Sequence, residues 1–136
     1  MSNKRLWYSV LAVFVFIFLF EWLFHGMFLK GAYQATSSFW RTPEEMQQYM
    51  PWMIMGQFFV AFFFCFIFTK GYESKGFAEG LRYGLLIAFF MSAPHLIMYA
   101  VSPLPWTLYV SWVIGILIEF TIAGLIVASV YKPSVA

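Results

Sequence analysis

The sequence predicts an all-α polytopic membrane protein, a four-transmembrane-helix bundle with a short interfacial helix between helices 1 and 2. Hydrophobic residues make up 62% of the chain and charged residues 10%, whereas soluble domains average about 45–50% and 25%. Four apolar stretches are each long enough, at about 1.5 Å per residue, to cross a ~30 Å hydrocarbon core. These stretches form a single domain, residues 1–136, and they are Leu6–Leu29, Pro51–Thr69, Phe77–Val101 and Trp106–Tyr131.

The first stretch is predicted to be a spanning helix and not a cleaved signal peptide. It follows two cationic residues, Lys4 and Arg5, as a signal core would. However, its apolar run exceeds the roughly 7–15 residues of a signal core, and no small-residue cleavage site follows it. We therefore retain it as the first helix of the bundle.

The distribution of positive charge predicts the orientation of the chain. Because cytoplasmic loops carry an excess of Lys and Arg, the richer side is expected to be cytoplasmic. Both termini are then cytoplasmic, in a membrane that we expect to be the bacterial inner membrane. A net charge of +2 provides no basic patch for nucleic acid, so the lipid bilayer is the expected surrounding. The richer side holds Lys4, Arg5, Lys70, Lys75, Arg82 and Lys132, and the other side holds Lys30 and Arg41.

The connection between the first two spanning helices carries a helix-start signature. In Thr42–Glu45 (Thr-Pro-Glu-Glu) an N-cap residue is followed by proline and, three residues on, by glutamate. We expect a separate short helix over Glu44–Met50 at the outer interface, with a break at Pro51. The other two connections, Gly71–Lys75 and Ser102–Pro105, are short and make sequential helices antiparallel neighbours.

Small residues at intervals of four predict where helices approach closely. Gly76, Gly80 and Gly84 open the third stretch, and Gly115 precedes Glu119 by four residues in the fourth. Such stripes let helix backbones come close together in lipid. They indicate either tight packing within the chain or an interface between copies. We accordingly expect a homo-oligomer or a subunit of a larger membrane complex.

Four ionisable residues lie inside the apolar stretches, where charged groups are costly and usually face the bundle interior. Helix geometry places His25 ~7 Å and Glu21 ~13 Å below the outer end of helix 1. It places His95 ~10 Å below the outer end of helix 3 and Glu119 ~20 Å down helix 4, near the midplane. We predict that these four side chains converge as one site in the outer half of the bundle, with Gln57 nearby.

Three interpretations of this cluster remain open. It is a hydrogen-bonded polar core, a site for a metal ion or haem, or a group that handles protons. Imidazole and carboxylate are common metal ligands, and level histidines on two helices suit a haem. In a metal or haem site the ligands would be His25, His95, Glu21 and Glu119, with the thioethers of Met91 and Met98 as softer candidates.

In the proton interpretation, Glu119 is the expected carrier, because a carboxyl group at the midplane is favoured in its neutral, protonated form. Pro94, directly before His95, removes one helical hydrogen bond, and broken helices often line sites in transporters. Soluble-type catalysis has no support, because the chain has no aspartate, nucleophile elbow or phosphate-binding loop.

The start of the third stretch and the end of the first carry a resemblance. Residues 76–84 (Gly-Phe-Ala-Glu-Gly-Leu-Arg-Tyr-Gly) and the aromatic, glycine and lysine residues of 22–33 resemble a bacterial family of small four-helix integral membrane proteins of unknown function. His25 departs from that family's Tyr-Ser-Pro-type pattern at this position. The resemblance implies the four-span architecture and gives no information about activity. Two function classes therefore stand: a binding or transport module that uses the polar cluster, and a structural or assembly subunit without a ligand.

Overall fold

A computed structural model of the protein describes residues 3–132, and helices account for most of them. The first helix continues into one π-helical segment, Phe24–Phe28, and a 3-10 turn, Ser37–Phe39, precedes the third. The α-helices are α1 (Asn3–Leu23), α2 (Lys30–Ala35), α3 (Pro43–Lys70), α4 (Phe77–Val101) and α5 (Trp106–Val130).

Four helical segments are long and apolar enough to cross a membrane. They confirm the predicted all-α bundle and its membrane location. A short helix, α2, does lie between the first two spans, but at Lys30–Ala35 and not at the predicted Glu44–Met50. We call the end of the bundle that holds α2 the outer end, and the end that holds the α3–α4 turn the inner end. The four spans are Asn3–Phe28, Pro43–Lys70, Phe77–Val101 and Trp106–Val130.

The expected break at Pro51 is absent, so Glu44–Met50 is the first part of α3 and not a separate helix. The start signature is correct: Thr42 Oγ1 accepts a hydrogen bond from Glu45 N at 3.2 Å, and Thr42 N donates to Glu45 Oε2 at 3.0 Å. Proline removes a single i→i−4 bond, and membrane helices commonly tolerate that loss. Pro94 likewise lies inside a continuous α4.

The spanning helices pack side by side in the order α3, α1, α5, α4. Helix α1 packs against both α3 and α5, and α5 packs along α4. At the inner end the two outermost helices, α3 and α4, also touch each other, where Tyr83 Oη donates a hydrogen bond to the carbonyl O of Phe64 at 2.5 Å. At the outer end α3 diverges, and every residue from 43 to 56 is exposed. The outer half of the bundle is therefore open between α3 and α4.

Glycines allow α4 and α5 to pack with their backbones in contact. A methyl group at Gly80 would collide with the carbonyl O of Gly124, and one at Gly84 with the carbonyl O of Phe120. Gly115 receives the ring of Phe24 in the same way. The stripe on α4 is thus occupied within the chain, and it does not offer Gly80 and Gly84 to a second copy.

Gly76 has a different role from the other glycines of the stripe. It is the N-cap of α4 with φ +61°, and no atom lies within 4 Å of the position that a side chain would take. Left-handed backbone of this kind favours glycine. The turn before it is held by Glu79, which is buried and accepts hydrogen bonds from Glu73 N at 2.6 Å and Lys75 N at 2.9 Å.

Candidate functional site

A cavity of about 360 Å³ lies in the outer half of the bundle, bordered by all four spanning segments. The polar side chains that line it come from every one of these helices, so the cavity exists only in the folded bundle. The structure brings together six of the residues singled out from the sequence. They are Glu21, His25, Gln57, Met91, His95 and Glu119.

Met98 lies away from this cavity. Its side chain is 45% exposed, and its Sδ accepts a hydrogen bond from Ser102 Oγ at 3.2 Å. Met98 therefore lies in the last turn of α4 and contacts the connection that follows, whereas Met91, two turns earlier, borders the cavity.

Hydrogen bonds at the outer rim of the cavity connect Trp112, Tyr33 and His25. Trp112 Nε1 donates to Tyr33 Oη at 2.8 Å, and an indole nitrogen can only donate. Tyr33 Oη also lies 2.5 Å from His25 Nδ1. On the other side of the ring, His25 Nε2 faces Glu21 Oε2 at 3.4 Å. When the neutral ring carries its proton on Nε2, toward the carboxylate, Nδ1 accepts from the Tyr33 hydroxyl. The result is a series from Tyr33 through His25 to Glu21.

Burial changes the pKa of the Tyr33 hydroxyl. Tyr33 lies on α2, outside the spanning segments, and is partly buried. Removal from water disfavours the phenolate and raises the pKa of Tyr33 to about 12, although the hydrogen bond from Trp112 acts in the opposite direction. At neutral pH Tyr33 is therefore a proton-bearing donor to His25.

Glu21 is also paired with the acid at the centre of α5. The side chains of Glu21 and Glu119 line the same cavity and interact electrostatically. Two carboxylates are acceptors only, so a hydrogen bond between them forms only when the pair holds a proton. Glu119 is 3% exposed, and in the described chain its Oε1 has no hydrogen-bond partner, nor does Oε1 of Gln57.

His95 presents a third acceptor to the cavity. Its Nδ1 lies 3.0 Å from the carbonyl O of Met91, so Nδ1 carries the proton that is donated there. Nε2 of the neutral ring then keeps its lone pair. The ring packs edge-on against Trp112, with 5.4 Å between ring centroids, and this contact holds it at the cavity wall.

The potential metal ligands around the cavity are loosely grouped. Within residues 3–132, no group of three or more His, Cys, Asp or Glu side chains is placed to hold a metal ion. Both ring nitrogens of His25 are already engaged, one accepting from Tyr33 and the other facing Glu21. His25 therefore has no free lone pair for a metal or a haem iron.

Tyr33 and Trp112 are the members of the site that sequence reasoning missed. Tyr33 follows His25 by eight residues, about two helical turns, and that spacing was a usable signal. Trp112 lies 79 residues from Tyr33 in the chain, so no local pattern predicts their contact. Trp112 is also 7% exposed and packs with Leu29, Leu104 and Leu108 in a small outer core.

Comparisons with protein-family models, with curated proteins and with solved structures found no match for this chain. The resemblance to small four-helix membrane proteins stays a prediction. Any functional assignment rests on the chemistry of the side chains around the cavity.

Proposed function

We propose that this integral membrane protein takes up protons at its outer end and passes them to a carboxyl pair in the middle of the bundle. The observation that carries the proposal is a series of neighbouring groups: Tyr33 Oη lies 2.5 Å from His25 Nδ1, His25 Nε2 lies 3.4 Å from Glu21 Oε2, and Glu119 lines the same cavity as Glu21. Series of Glu and His side chains inside membrane proteins are typical of proton relays. Metal or haem binding, the other ligand interpretation, finds a free histidine lone pair at His95 Nε2, whereas both ring nitrogens of His25 are engaged.

Each step of the relay moves one proton between neighbouring atoms. Tyr33 gives its hydroxyl proton to His25 Nδ1 and regains a proton from water at the outer end. The imidazolium formed in this way releases its Nε2 proton to Glu21. Glu21 then holds this proton beside Glu119, so the net result is one proton added to the carboxyl pair and a His25 ring whose proton has moved from Nε2 to Nδ1.

Beyond Glu119 the bundle becomes apolar. Its inner half is filled by buried residues such as Phe64, Phe68, Phe120 and Val127, all at most 3% exposed. An apolar core offers no hydrogen-bonded route for a proton. We therefore propose an uptake site that opens to one side and not a continuous proton channel.

The direction of uptake follows from the charge distribution. We propose that both termini face the cytoplasm of a bacterium, which places α2 and Tyr33 at the outside of the inner membrane. The six cationic residues at the inner end against two at the outer end support this orientation. Protons would then enter from the side on which Tyr33 lies.

The experiment is hydrogen–deuterium exchange of the carboxyl pair, followed by infrared spectroscopy after transfer of the reconstituted protein into D₂O. Wild type should show a protonated carboxyl band at neutral pH, and Glu119→Gln and Glu21→Gln should each lose it. Tyr33→Phe should keep the band but slow its exchange by at least about tenfold. Glu45→Gln, at the exposed start of α3, is the matched control. Exchange that is as fast without the Tyr33 hydroxyl would refute the relay.

The second candidate function is a structural or assembly subunit. It is favoured by the fact that the same bonds join α1, α2 and α5, through His25, Tyr33 and Trp112. The exposed outer part of α3, residues 43–56, would then meet a partner or a second copy. In that case Tyr33→Phe should weaken the fold without slowing carboxyl exchange, and native mass spectrometry should show the protein in a larger assembly.

A further inference from the structure

The cavity has an opening on its side, in the gap between α3 and α4. Trp52 and Met53 form its α3 rim and are 65% and 48% exposed. Met91 and His95 form the α4 rim and are half-buried. At the inner end the gap is closed by the rings of Phe64 and Tyr83, with centroids 4.7 Å apart. A molecule dissolved in the membrane can therefore reach the cavity laterally.

Five aromatic side chains line the cavity, and its polar groups include three hydrogen-bond acceptors. Oε1 of Glu119 and Oε1 of Gln57 are shielded from solvent without a donor in the described chain, and His95 Nε2 keeps a lone pair. Shielded acceptors without donors are unfavourable, and a ligand that donates hydrogen bonds relieves that cost. The aromatic walls are Phe20, Phe24, Trp52, Trp112 and Phe120.

We propose that the cavity binds a lipid-dissolved aromatic molecule with hydroxyl donors on its ring, of the hydroquinone class, which enters between α3 and α4. A flat ring matches the aromatic walls, and two hydroxyl groups match acceptors that lie on different helices. A volume of about 360 Å³ is within the usual range for a small-molecule pocket. The hydroxyl protons would lie beside Glu119, so the inference deepens the proposed proton uptake.

The test is calorimetric binding to the protein in lipid nanodiscs. The probe is a hydroquinone with a decyl tail, and its dimethyl ether is the matched compound, since it keeps the ring and tail but has no O–H donor. The hydroquinone should bind at least about tenfold more tightly, because the ether leaves the acceptors unpaired. Equal binding of the two compounds, or no binding of either, would overturn the proposal.

Two glycine variants locate the binding. Gly56 lines the cavity, and no atom lies within 4 Å of the position that its side chain would take, so Gly56→Phe should fill the cavity without a backbone clash. Gly71 is equally unobstructed but lies at the inner end, which makes Gly71→Phe the control. Gly56→Phe should abolish hydroquinone binding and Gly71→Phe should preserve it; retained binding in Gly56→Phe contradicts the assigned site.

The acceptors are tested by Gln57→Leu, which removes one of them. It should weaken hydroquinone binding several-fold and leave the ether unchanged, and an equal loss for both compounds would count against acceptor recognition. Carboxyl exchange in D₂O is measured without any hydroquinone. Failure of ligand binding with intact, Tyr33-dependent exchange therefore overturns only this inference, whereas loss of that dependence overturns the proton relay.

Discussion

Trp112 Nε1 donates a hydrogen bond to Tyr33 Oη at 2.8 Å, and this contact attaches the connection after the first span to the last span. The same hydroxyl lies 2.5 Å from His25 Nδ1. A contact between distant segments of the chain thus positions a histidine at the cavity. Stability and the proposed chemistry depend on the same hydroxyl group.

Tyr33→Phe is expected to destabilise the folded protein. It removes the hydroxyl that pairs both the Trp112 indole and His25 Nδ1, and an unpaired buried polar group costs about 1–3 kcal/mol. Thermal unfolding in a mild detergent measures the loss. Tyr49→Phe, on the exposed side of α3, keeps the ring that lies against Arg41 and should change the midpoint little. Equal midpoints for the two variants would contradict the bridging role.

Alkaline pH should destabilise the protein through Tyr33. Its pKa is about 12 in the folded protein and ordinarily about 10. A raised pKa means that the unfolded chain loses its proton first, so this contribution to stability is complete below pH 10 and disappears as the pH rises toward 12. Unfolding midpoints measured between pH 9 and 12 should fall less steeply in Tyr33→Phe than in wild type. Parallel curves would show that Tyr33 ionises normally.

Gly84→Leu should disrupt the contact between α4 and α5. The first side-chain carbon would collide with the carbonyl O of Phe120 and lie 3.0 Å from Thr121 Cα. Overpacking against backbone costs about 1–3 kcal/mol or more. Gly71→Leu, with no atom within 4 Å, is the control. Denaturant titration measures the free energy of unfolding of both variants. An unchanged value for Gly84→Leu would mean that α4 and α5 can move apart without loss of stability.

Glu79→Ala should loosen the inner turn. The buried carboxylate accepts from the backbone nitrogens of Glu73 and Lys75, and its removal leaves two donors unpaired at about 1–3 kcal/mol each. Glu73→Ala removes exposed ion pairs with Lys75 and Arg82, which contribute little. Proteolysis of the turn between α3 and α4 should accelerate in Glu79→Ala. Comparable cleavage rates in the two variants would contradict the role of Glu79 in holding this turn.

The proposed orientation is tested by cysteine labelling in intact cells. Cys65 is fully buried, so an impermeant thiol reagent should react only with cysteines introduced at exposed positions. Ser37→Cys, near α2, should react from outside, and Ser74→Cys, in the α3–α4 turn, should react only after the membrane is opened; both positions are exposed. The reverse pattern would invert the orientation and with it the side from which protons enter.

Sequence alone determined the class of this protein and four of the ionisable residues of its polar site. Hydrophobicity and length locate the four spans, because a bilayer excludes unpaired backbone polar groups and makes helices obligatory. The cost of ionisable groups in lipid singled out Glu21, His25, His95 and Glu119, and all four line one cavity. Local rules also placed the start of α3 at Thr42 and Pro43.

Tertiary structure decided what local rules leave open. The α4 glycine stripe could face a second copy or α5, and backbone contact with α5 settles that choice. Pro51 permits a break or a continuous helix, and the structure has a continuous α3 whose first part, residues 43–56, is exposed. Which residue forms a hydrogen bond with Tyr33 is likewise decided by the tertiary structure. Hydrogen bonds between residues as distant as Tyr33 and Trp112 depend on how helices dock, and helix periodicity carries no information about docking.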